Sequence, residues 1–266
     1  MGCSGGIGAG LRTTCLRVDD DILIDAGTGV GDLTLDQMVR IQHIFLTHSH
    51  LDHITAVPLL VDTVFGDLAE PLVVHGRKET IMALKAHVFN WVIWPDFSKL
   101  PSKESPVLRW EVMEPGEVME LGGRGIELIP VNHAVPGAGY RVEDASGVFA
   151  FSGDTTTNNS FWAVLNKYPR LDSLMVECSF SDRERELTEK SYHYCPSLLA
   201  QDLKKLRHRP QIFISHLNPG EEELIMAECR KLLPDFQIHQ LKHARSVYHN
   251  QYLYQHEFFQ HQRSRW

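Results

Sequence analysis

The sequence predicts a layered protein in which β-strands and α-helices alternate along the chain, as they do in α/β folds. Short apolar runs of strand length occur at 22–25 and 41–46, and each ends in turn-forming or polar residues. Stretches with the apolar spacing of a helix follow such runs, for example at 54–65. With 266 residues, the chain can bury one large core or, at most, the cores of two domains.

The first part of the chain shows this alternation most regularly. Strands are predicted at 22–25, 41–46 and 71–76, and helices at about 33–40, 54–65 and 78–90. A glycine-rich stretch, Gly5-Gly6-Ile7-Gly8, comes after only four residues, although such loops normally follow a strand. We therefore expect a first strand to be missing or very short.

Strands and helices return in the second part of the chain. Strands are predicted at 126–131, 139–143, 148–151, 171–176, 211–215 and 236–241, and helices at 197–206 and 221–232. Most of these strands run into polar loops. We predict one domain over residues 1–247 and a separate C-terminal tail over 248–266, which has no clean period and could be an extra helix, a dimer arm or a frayed end.

Residues 90–110 interrupt the alternation with an insertion rich in aromatic residues and proline, including Trp91, Trp94 and Phe97. Two interpretations fit this composition equally well. The insertion could be a lid beside an active site, or it could be a dimer contact, in which case the protein would be a homodimer. Alternatively, it could be a satellite hydrophobic cluster beneath a long loop.

The composition excludes several classes of protein. The formal net charge of −8 argues against a broad nucleic-acid surface, which requires clustered Lys and Arg. No apolar run reaches the length of a transmembrane helix. The five Cys are scattered without a CxxC pair, which fits a reducing compartment. We therefore predict a cytoplasmic protein with no membrane partner.

A dense group of metal-capable side chains follows the strand predicted at 41–46. His48, His50, Asp52 and His53 lie within six residues of one another. The spacing differs from a zinc-binding helix, whose two His are four positions apart. A loop could instead bring His48 and His50 to one ion, and Asp52 and His53 to a second. Imidazole and carboxylate ligands suit Zn, Mn or Fe.

Other candidate site residues also follow apolar strands or open helices. Polar side chains at strand ends are what a sheet supplies to a catalytic rim. These further candidates are His133, Asp154, Glu177, His193 and His216. Structural or surface roles are predicted for His75, His87, His208, His239 and His249. His243 is the main rival of His216 as a ligand, but it lacks the position at a strand end.

These motifs resemble those of a known family. The run 48–53, His-Ser-His-Leu-Asp-His, resembles the HxHxDH signature of the metallo-β-lactamase superfamily. Later motifs match in the same order over about residues 2–245: Asp25-Ala26-Gly27, Asn132-His133, Ser152-Gly153-Asp154-Thr155 and Ser215-His216. Within the superfamily, 48–54 followed by Pro58-Leu59-Leu60 is most similar to the class II 3′,5′-cyclic-nucleotide phosphodiesterases. The stretches 133–143 and 176–180 resemble the corresponding sequences of ribonuclease Z.

The resemblance implies an α+β fold, a four-layer αββα sandwich with two divalent metal ions at one edge of its sheets. Zinc is the expected metal, with Mn or Fe as alternatives. Carried over residue by residue, the first ion would be held by His48, His50 and His133. The second would be held by Asp52, His53 and His216, and Asp154 would bridge both.

The resemblance also implies a mechanism, in which a hydroxide bridging the two ions attacks phosphorus. His193 is the candidate general acid for the leaving ribose oxygen, because imidazole titrates near neutral pH. His193 could also simply cap the helix that follows it. Glu177 is expected to orient or tune His193. Asp25 is expected to orient the metal loop, and Asp52 to serve catalysis as well as metal binding.

The predicted function is metal-dependent hydrolysis of a small 3′,5′-cyclic nucleotide to a 5′-monophosphate, without an extended nucleic-acid partner. A ribonuclease Z-like endonuclease is the main enzymatic alternative. It is disfavoured because Thr28-Gly29-Val30-Gly31-Asp32 stands where a Gly-Glu-x-x-Gln-style run is expected. A non-catalytic nucleotide- or metal-binding module of the same fold is the second alternative, and the complete ligand set argues against it.

Overall fold

Two β-sheets face each other in the computed structural model, which describes residues 1–242. The strands of the first sheet are β1 (Leu16–Val18), β2 (Ile22–Ile24), β3 (His43–Phe45), β4 (Leu72–Gly76) and β5 (Leu108–Val112). They lie side by side in the order β1-β2-β3-β4-β5. Only the β1–β2 pair is antiparallel, and the others are parallel.

The second sheet contains the remaining strands of the described residues. These are β6 (Val118–Leu121), β7 (Arg124–Val131), β8 (Gly137–Glu143), β9 (Val148–Phe151), β10 (Ser173–Glu177), β11 (Gln211–Ser215) and β12 (Ile238–Gln240). Their spatial order is β12-β11-β10-β9-β8-β7-β6. Pairing is antiparallel from β6 to β9 and parallel from β9 to β12.

Helices connect the strands of both sheets. The first part of the chain contains α1 (Leu35–Val39), α2 (Leu51–Ile54), α3 (Ala56–Thr63) and α4 (Lys78–His87). The second part contains α5 (Ser160–Leu165), α6 (Arg185–Ser191), α7 (Pro196–Leu203) and α8 (Glu222–Leu232). Within residues 1–242, no helix is both long and apolar enough to cross a membrane.

Alternation of side chains along the strands divides the core into three parts. In β2 and β3, Ile24 and Phe45 face the space between the sheets, where they meet residues of the second sheet such as Tyr140. Their neighbours Leu23 and Ile44 point the opposite way, into an apolar cluster shared with α3 and α4. A third cluster joins the outer face of the second sheet to α5, α7 and α8. The layers are therefore helix, sheet, sheet and helix, which confirms the predicted αββα sandwich.

Local chemistry shifts several element boundaries from the predicted ones. Helix α1 begins at Leu35, because Thr34 and Gln37 form a reciprocal capping box at its start. The helix predicted at 54–65 begins earlier and is divided at Thr55 into α2 and α3. Strands β1, β5 and β6, and helices α5 and α6, were not predicted. Edge strands such as β6, with an exposed–intermediate alternation, carry little apolar signal.

The aromatic insertion is more fully integrated into the fold than the sequence indicated. Phe97 is buried in the core cluster of the first sheet, and Trp94 and Trp110 pack against that cluster. Its last residues belong to β5, while Trp91 and Val92 are exposed. Within residues 1–242, no strand precedes the glycine-rich stretch near residue 5, and Gly2 and Ser4 form only isolated bridges with Cys15 and Thr13, as expected for a first strand that is missing or very short. The tail predicted at 248–266 lies outside the described residues.

Candidate metal centre

Predicted ligands lie at one common edge of the two sheets. His48 and His50 follow β3, His133 follows β7, Asp154 follows β9 and His216 follows β11. Strands β7 and β9 are both antiparallel to β8, so they run in the same direction and end at the same edge. Strands β9, β10 and β11 are parallel and end there as well. The topology therefore brings together side chains that are far apart in the sequence.

The predicted ligands form two groups of four that share one member. The first group is His48, His50, His133 and Asp154, and the second is Asp52, His53, Asp154 and His216. Within each group, one candidate ligand atom per residue lies within 4.8 Å of all the others. The two groups have the composition that the sequence predicted for each ion, with Asp154 common to both.

Unsatisfied buried atoms show that this site suits a cation. Among the described residues, His48 Nε2 and Asp154 Oδ1 are buried without a hydrogen-bond partner. Leaving such atoms unpaired is costly, and few occur in a native fold. In addition, Nε2 of His53 and Nε2 of His216 lie 3.4 Å apart, each 3.2 Å from Asp154 Oδ2. Imidazole nitrogens that converge on a carboxylate are suitable donors for a divalent ion of the Zn, Mn or Fe type.

Asp25 fixes the orientation of His53 from behind the site. Its Oδ1 accepts the Thr47 backbone N–H over 2.7 Å, and its Oδ2 accepts the Thr47 hydroxyl over 2.8 Å. His53 Nδ1 lies 2.7 Å from the same Oδ2. A proton on Nδ1 leaves Nε2 as the free ligand atom, which is the usual arrangement for a metal-binding His backed by a carboxylate. Asp25 has a φ of 59°, an uncommon left-handed conformation for a non-glycine residue.

A backbone carbonyl, that of Tyr192, fixes the orientation of the His133 ring. Its Nδ1 lies 2.9 Å from the Tyr192 carbonyl oxygen, so Nδ1 is the donor, and Nε2 faces His50. Tyr192 follows helix α6 in a left-handed conformation with a φ of 58°. The end of α6 therefore orients His133 and leads directly into His193.

His193 is held at the edge of the ligand groups by a buried acid. Its Nδ1 lies 2.8 Å from Glu177 Oε1, and Glu177 is almost completely buried. The Ser179 hydroxyl lies 2.9 Å from Glu177 Oε2, 3.1 Å from His193 Nδ1 and 3.0 Å from His216 Nδ1. Burial lowers the pKa of His193, but the Glu177 carboxylate outweighs this effect, and the pKa is raised to about 9. The geometry supports the predicted orienting role of Glu177.

The protonation states of His48 and Asp154 match those that metal ligands require. Burial lowers the pKa of His48 well below its ordinary value, and the neighbouring His53 acts in the same direction. For Asp154, burial favours protonation, but His216 and His53 outweigh it, and the pKa of Asp154 stays well below its ordinary value. Near neutral pH, the site therefore presents a neutral imidazole at His48 and an ionised carboxylate at Asp154. At His53, burial lowers the pKa, but the carboxylates of Asp154 and Asp25 outweigh it and raise the pKa well above its ordinary value, so metal binding there requires loss of a proton.

The segment that carries the ligands differs from the predicted loop in one respect. Asp52 and His53 lie in the single-turn helix α2, and His50 occupies its N-cap position. Gly27 allows α2 to approach closely, because a Cβ at this position would lie 2.1 Å from the Asp52 carbonyl oxygen. His48 and His50 fall in one group and Asp52 and His53 in the other, as the spacing predicted, but the second pair lies on a helical turn and not on an irregular loop.

An open cavity of about 190 Å³ gives access to these residues. It is lined by Gly5, His50, Asp52, Asp154, Ser179, Phe180, His193, His216 and Asn218. None of these residues comes from the 90–110 insertion, so the lining gives no support to a lid there. The set also contains no Lys or Arg.

Four of the lining residues were not predicted as site residues: Gly5, Ser179, Phe180 and Asn218. Their signals in the sequence were the glycine-rich stretch and positions two or three residues after Glu177 and His216. Gly5 lies close to a ligand, since a Cβ there would lie 2.8 Å from the His216 carbonyl oxygen.

The remaining histidines of the described residues lie outside both ligand groups. His75 is fully buried and stacks on Phe45, and burial lowers its pKa to about 3. His87 is exposed at the end of α4, and His239 stacks on Phe213. His243 and His249 lie outside the described residues.

Known proteins are similar to this chain in sequence. A family model described as "Beta-lactamase superfamily domain" matches residues 20–217. A probable 3′,5′-cyclic-nucleotide phosphodiesterase of Yersinia pestis is 24% identical over 214 residues, which cover 71% of this chain and 60% of that protein. A ribonuclease Z of Halorubrum lacusprofundi is 31% identical over 132 residues, or 48% of this chain and 40% of that protein. The chain thus spans less than two thirds of the length of these relatives.

A solved structure shows the same fold. The structure of unliganded yeast PDE1 superimposes with a TM-score of 0.75 at 20% sequence identity, and the match covers 91% of this chain and 96% of the other. Together with the family match over residues 20–217, this superposition agrees with the order of the motifs and with the αββα layers. The chain belongs to the β-lactamase superfamily and has the metallo-β-lactamase hydrolase fold.

Proposed function

We propose that this chain is a metal-dependent phosphodiesterase that hydrolyses 3′,5′-cyclic nucleotides to 5′-monophosphates. One observation carries the proposal: two ligand groups share Asp154, and His193 lies beside them at the same cavity. Cleavage of a phosphodiester requires activation of water and of the phosphoryl group, which a dinuclear centre provides, and protonation of the leaving oxygen, which an adjacent acid provides. The phosphodiesterase names of several relatives support this reaction.

Two divalent ions, zinc in the first place and Mn or Fe as alternatives, would occupy the two groups. His48, His50 and His133 would hold one ion, Asp52, His53 and His216 the other, and Asp154 both. When bound, such a pair supplies Lewis-acid activation of the phosphoryl group and of the attacking water. Asp25 and the Tyr192 carbonyl keep His53 and His133 in the tautomers that such binding requires.

His193 supplies the proton for the leaving group. Attack of water on phosphorus breaks the bond to the 3′-oxygen, which leaves as an alkoxide and needs a proton. Because Glu177 engages Nδ1 of His193, the other ring nitrogen is available to give this proton. After transfer, the water oxygen remains on phosphorus in the 5′-monophosphate, and the 3′-oxygen has become a hydroxyl.

A small substrate fits the cavity better than a long polyanion. The cavity has a volume of about 190 Å³, and no Lys or Arg lines it. A protein that tracks a nucleic-acid backbone needs such cations, and the formal net charge here is −8. These observations favour a cyclic mononucleotide over precursor tRNA. Because other relatives are named ribonuclease Z, precursor tRNA is tested as well.

A substrate panel with metal-loaded protein tests the proposal. Chelator-treated protein is reloaded with Zn or Mn and assayed on cAMP, cGMP, cCMP, cUMP, precursor tRNA and bis(p-nitrophenyl) phosphate. We expect at least one cyclic nucleotide to yield its 5′-monophosphate only after reloading. Asp154→Ala should abolish this activity, whereas Asp235→Ala, which changes an exposed carboxylate, should not.

Two outcomes would contradict the proposal in different ways. Cleavage of precursor tRNA with all four cyclic nucleotides intact would favour the ribonuclease Z-like function. Nucleotide binding without any product, with or without added metal, would indicate a non-catalytic binding module.

A further inference from the structure

Part of the cavity wall is formed by residues that the proposed chemistry leaves unused. Phe180 and Asn218 line the cavity together with His193. The Asn218 backbone N–H donates to the Ser179 carbonyl oxygen over 2.9 Å, which joins the segment after β10 to the segment after β11. This hydrogen bond holds both side chains in one short stretch of wall beside the reaction centre.

Phe180 presents an aromatic surface at this wall. The ring is half-buried and lies 5.8 Å from the His193 ring, at an interplanar angle of 72°. An aromatic ring that remains partly open to a cavity offers a flat apolar face. Nucleobases stack on such faces whatever their identity, because every base has a π-face.

Asn218 contributes an uncommitted amide to the same wall. Within residues 1–242, its side chain makes no hydrogen bond, although it is half-buried at the cavity. An amide offers both a donor and an acceptor, which is the pattern needed to pair with the edge of a base. An amide in this position is available to a ligand.

We propose that Phe180 and Asn218 form a nucleobase subsite, in which the ring stacks on the base and the amide hydrogen-bonds to its edge. The proposal rests on the proposed function and deepens it, since it assigns recognition of the nucleoside to residues separate from the metal ligands. A phosphodiester bound at the ligand groups would have its nucleoside next to this wall.

A comparison of two proteins on two substrates tests the role of Phe180. Kinetics of the metal-loaded protein and of Phe180→Ala are measured on cAMP and on the abasic 3′,5′-cyclic ribose phosphate. We expect Phe180→Ala to raise the KM for cAMP by about tenfold with kcat within about twofold, as for the loss of one base–aromatic stack. The abasic substrate should not distinguish the two proteins. Trp91→Ala, at an exposed aromatic residue outside the cavity, is the matched control.

Binding of 5′-AMP, measured by calorimetry, separates this inference from the proposed function. If no cyclic nucleotide is cleaved but Phe180→Ala still weakens 5′-AMP binding about tenfold, the phosphodiesterase assignment fails and the subsite stands. If 5′-AMP binding is unchanged in Phe180→Ala, or if the abasic substrate is affected as strongly as cAMP, the subsite is overturned.

Asn218 is tested through selectivity between bases. Asn218→Ala should change the ratio of kcat/KM among cAMP, cGMP, cCMP and cUMP by about threefold or more, as expected for the loss of a neutral hydrogen bond. Gln201→Ala, which removes an exposed amide on helix α7, should leave the ratios unchanged. Unchanged ratios in Asn218→Ala would remove the amide from the proposed subsite.

Discussion

Asp25 and His53 form a fully buried pair, in which His53 Nδ1 lies 2.7 Å from Asp25 Oδ2. Asp25 also receives two hydrogen bonds from Thr47, the residue directly before the first ligand. This carboxylate therefore positions both ends of the segment 47–53. The Asp-Ala-Gly motif thus has a structural explanation: it supplies the acid that aligns the ligands.

Replacement of Asp25 by Asn should weaken metal binding. An amide has one acceptor oxygen, whereas three donors meet at Asp25, so either Thr47 or His53 loses its partner. We expect the affinity for Zn to fall by about 10–100-fold, the usual cost of removing such a supporting acid. Competition with a chromophoric chelator measures this change. Asp62→Asn, at an exposed position on α3, is the control, and equal affinities in both variants would contradict the role of Asp25.

Replacement of His193 by Ala should affect poor leaving groups most. A general acid contributes about 10²–10⁴-fold when the leaving oxygen is a strong base, such as a ribose alkoxide. We expect a loss of this size on cyclic nucleotides and a much smaller loss on bis(p-nitrophenyl) phosphate, whose leaving group needs no proton. His208→Ala is the control. Equal losses on both substrates would show that His193 does not act as the acid.

Glu177→Gln should give a weaker version of the same effect. Its amide still fills the space between the backbone N–H of Thr155 and His193, but the negative charge that raises the pKa of His193 is lost. We expect kcat on cyclic nucleotides to fall less than in His193→Ala, with metal content unchanged. Loss of bound metal in Glu177→Gln would show that this acid supports the ligands instead.

Gly27→Ala should disturb the site through its backbone. An added Cβ would lie 2.1 Å from the Asp52 carbonyl oxygen and 2.4 Å from Thr13 Oγ1, so α2 would have to move. Overpacking of this kind destabilises by about 1–3 kcal/mol, and metal affinity should fall with it. Thermal unfolding and metal titration measure both effects. Gly31→Ala, where a Cβ meets no atom within 4 Å, is the matched control and should behave like the unmodified protein.

An ion pair far from the site should make stability depend on pH. Arg124 donates to both Asp21 oxygens, over 2.6 and 2.7 Å, and this pairing lowers the pKa of Asp21. Because the folded-state pKa is depressed, the pair stabilises the fold above about pH 4 and loses its effect as the pH falls through the folded-state value. We expect Arg124→Met to lower the free energy of unfolding at pH 7 by about 1 kcal/mol.

Urea unfolding of Arg124→Met at pH 7 and at pH 3 measures this dependence. The difference from the unmodified protein should shrink at the lower pH. Arg185→Met, which breaks an exposed pair with Glu189, is the control and should have a smaller effect at both pH values. A difference that stays constant with pH would show that packing of the Arg124 side chain, and not the ion pair, is responsible.

Several elements were correctly predicted because their side chains carry a strong local signal. The strands β3, β10 and β11 each contain consecutive buried apolar residues, which are recognisable whatever their surroundings. Helix α8 was predicted to within one residue of its start. Strands β5 and β6 were missed because their side chains are mostly exposed, so their pairing depends on a neighbouring strand and not on their own pattern.

The seven candidate ligands could be named from the sequence because metal-binding side chains are few in kind and stand in ordered motifs. The residues that hold those candidate ligands in place could not be predicted from the sequence. Ser179 bridges Glu177, His193 and His216 by a single hydroxyl, and a serine carries no sequence signal for such a role. The Tyr192 carbonyl that orients His133 has no side-chain signal at all.

The sequence by itself determined the layered fold, the family and the chemical type of each candidate ligand, since these depend on periodicity and on residue identity. The tertiary structure decided which nitrogen of each ring faces the site, which neighbouring groups hold the candidate ligands in place, and which residues line the cavity. These properties depend on distances between side chains that are remote in the chain, because strands from two sheets must first pair and then end at one common edge.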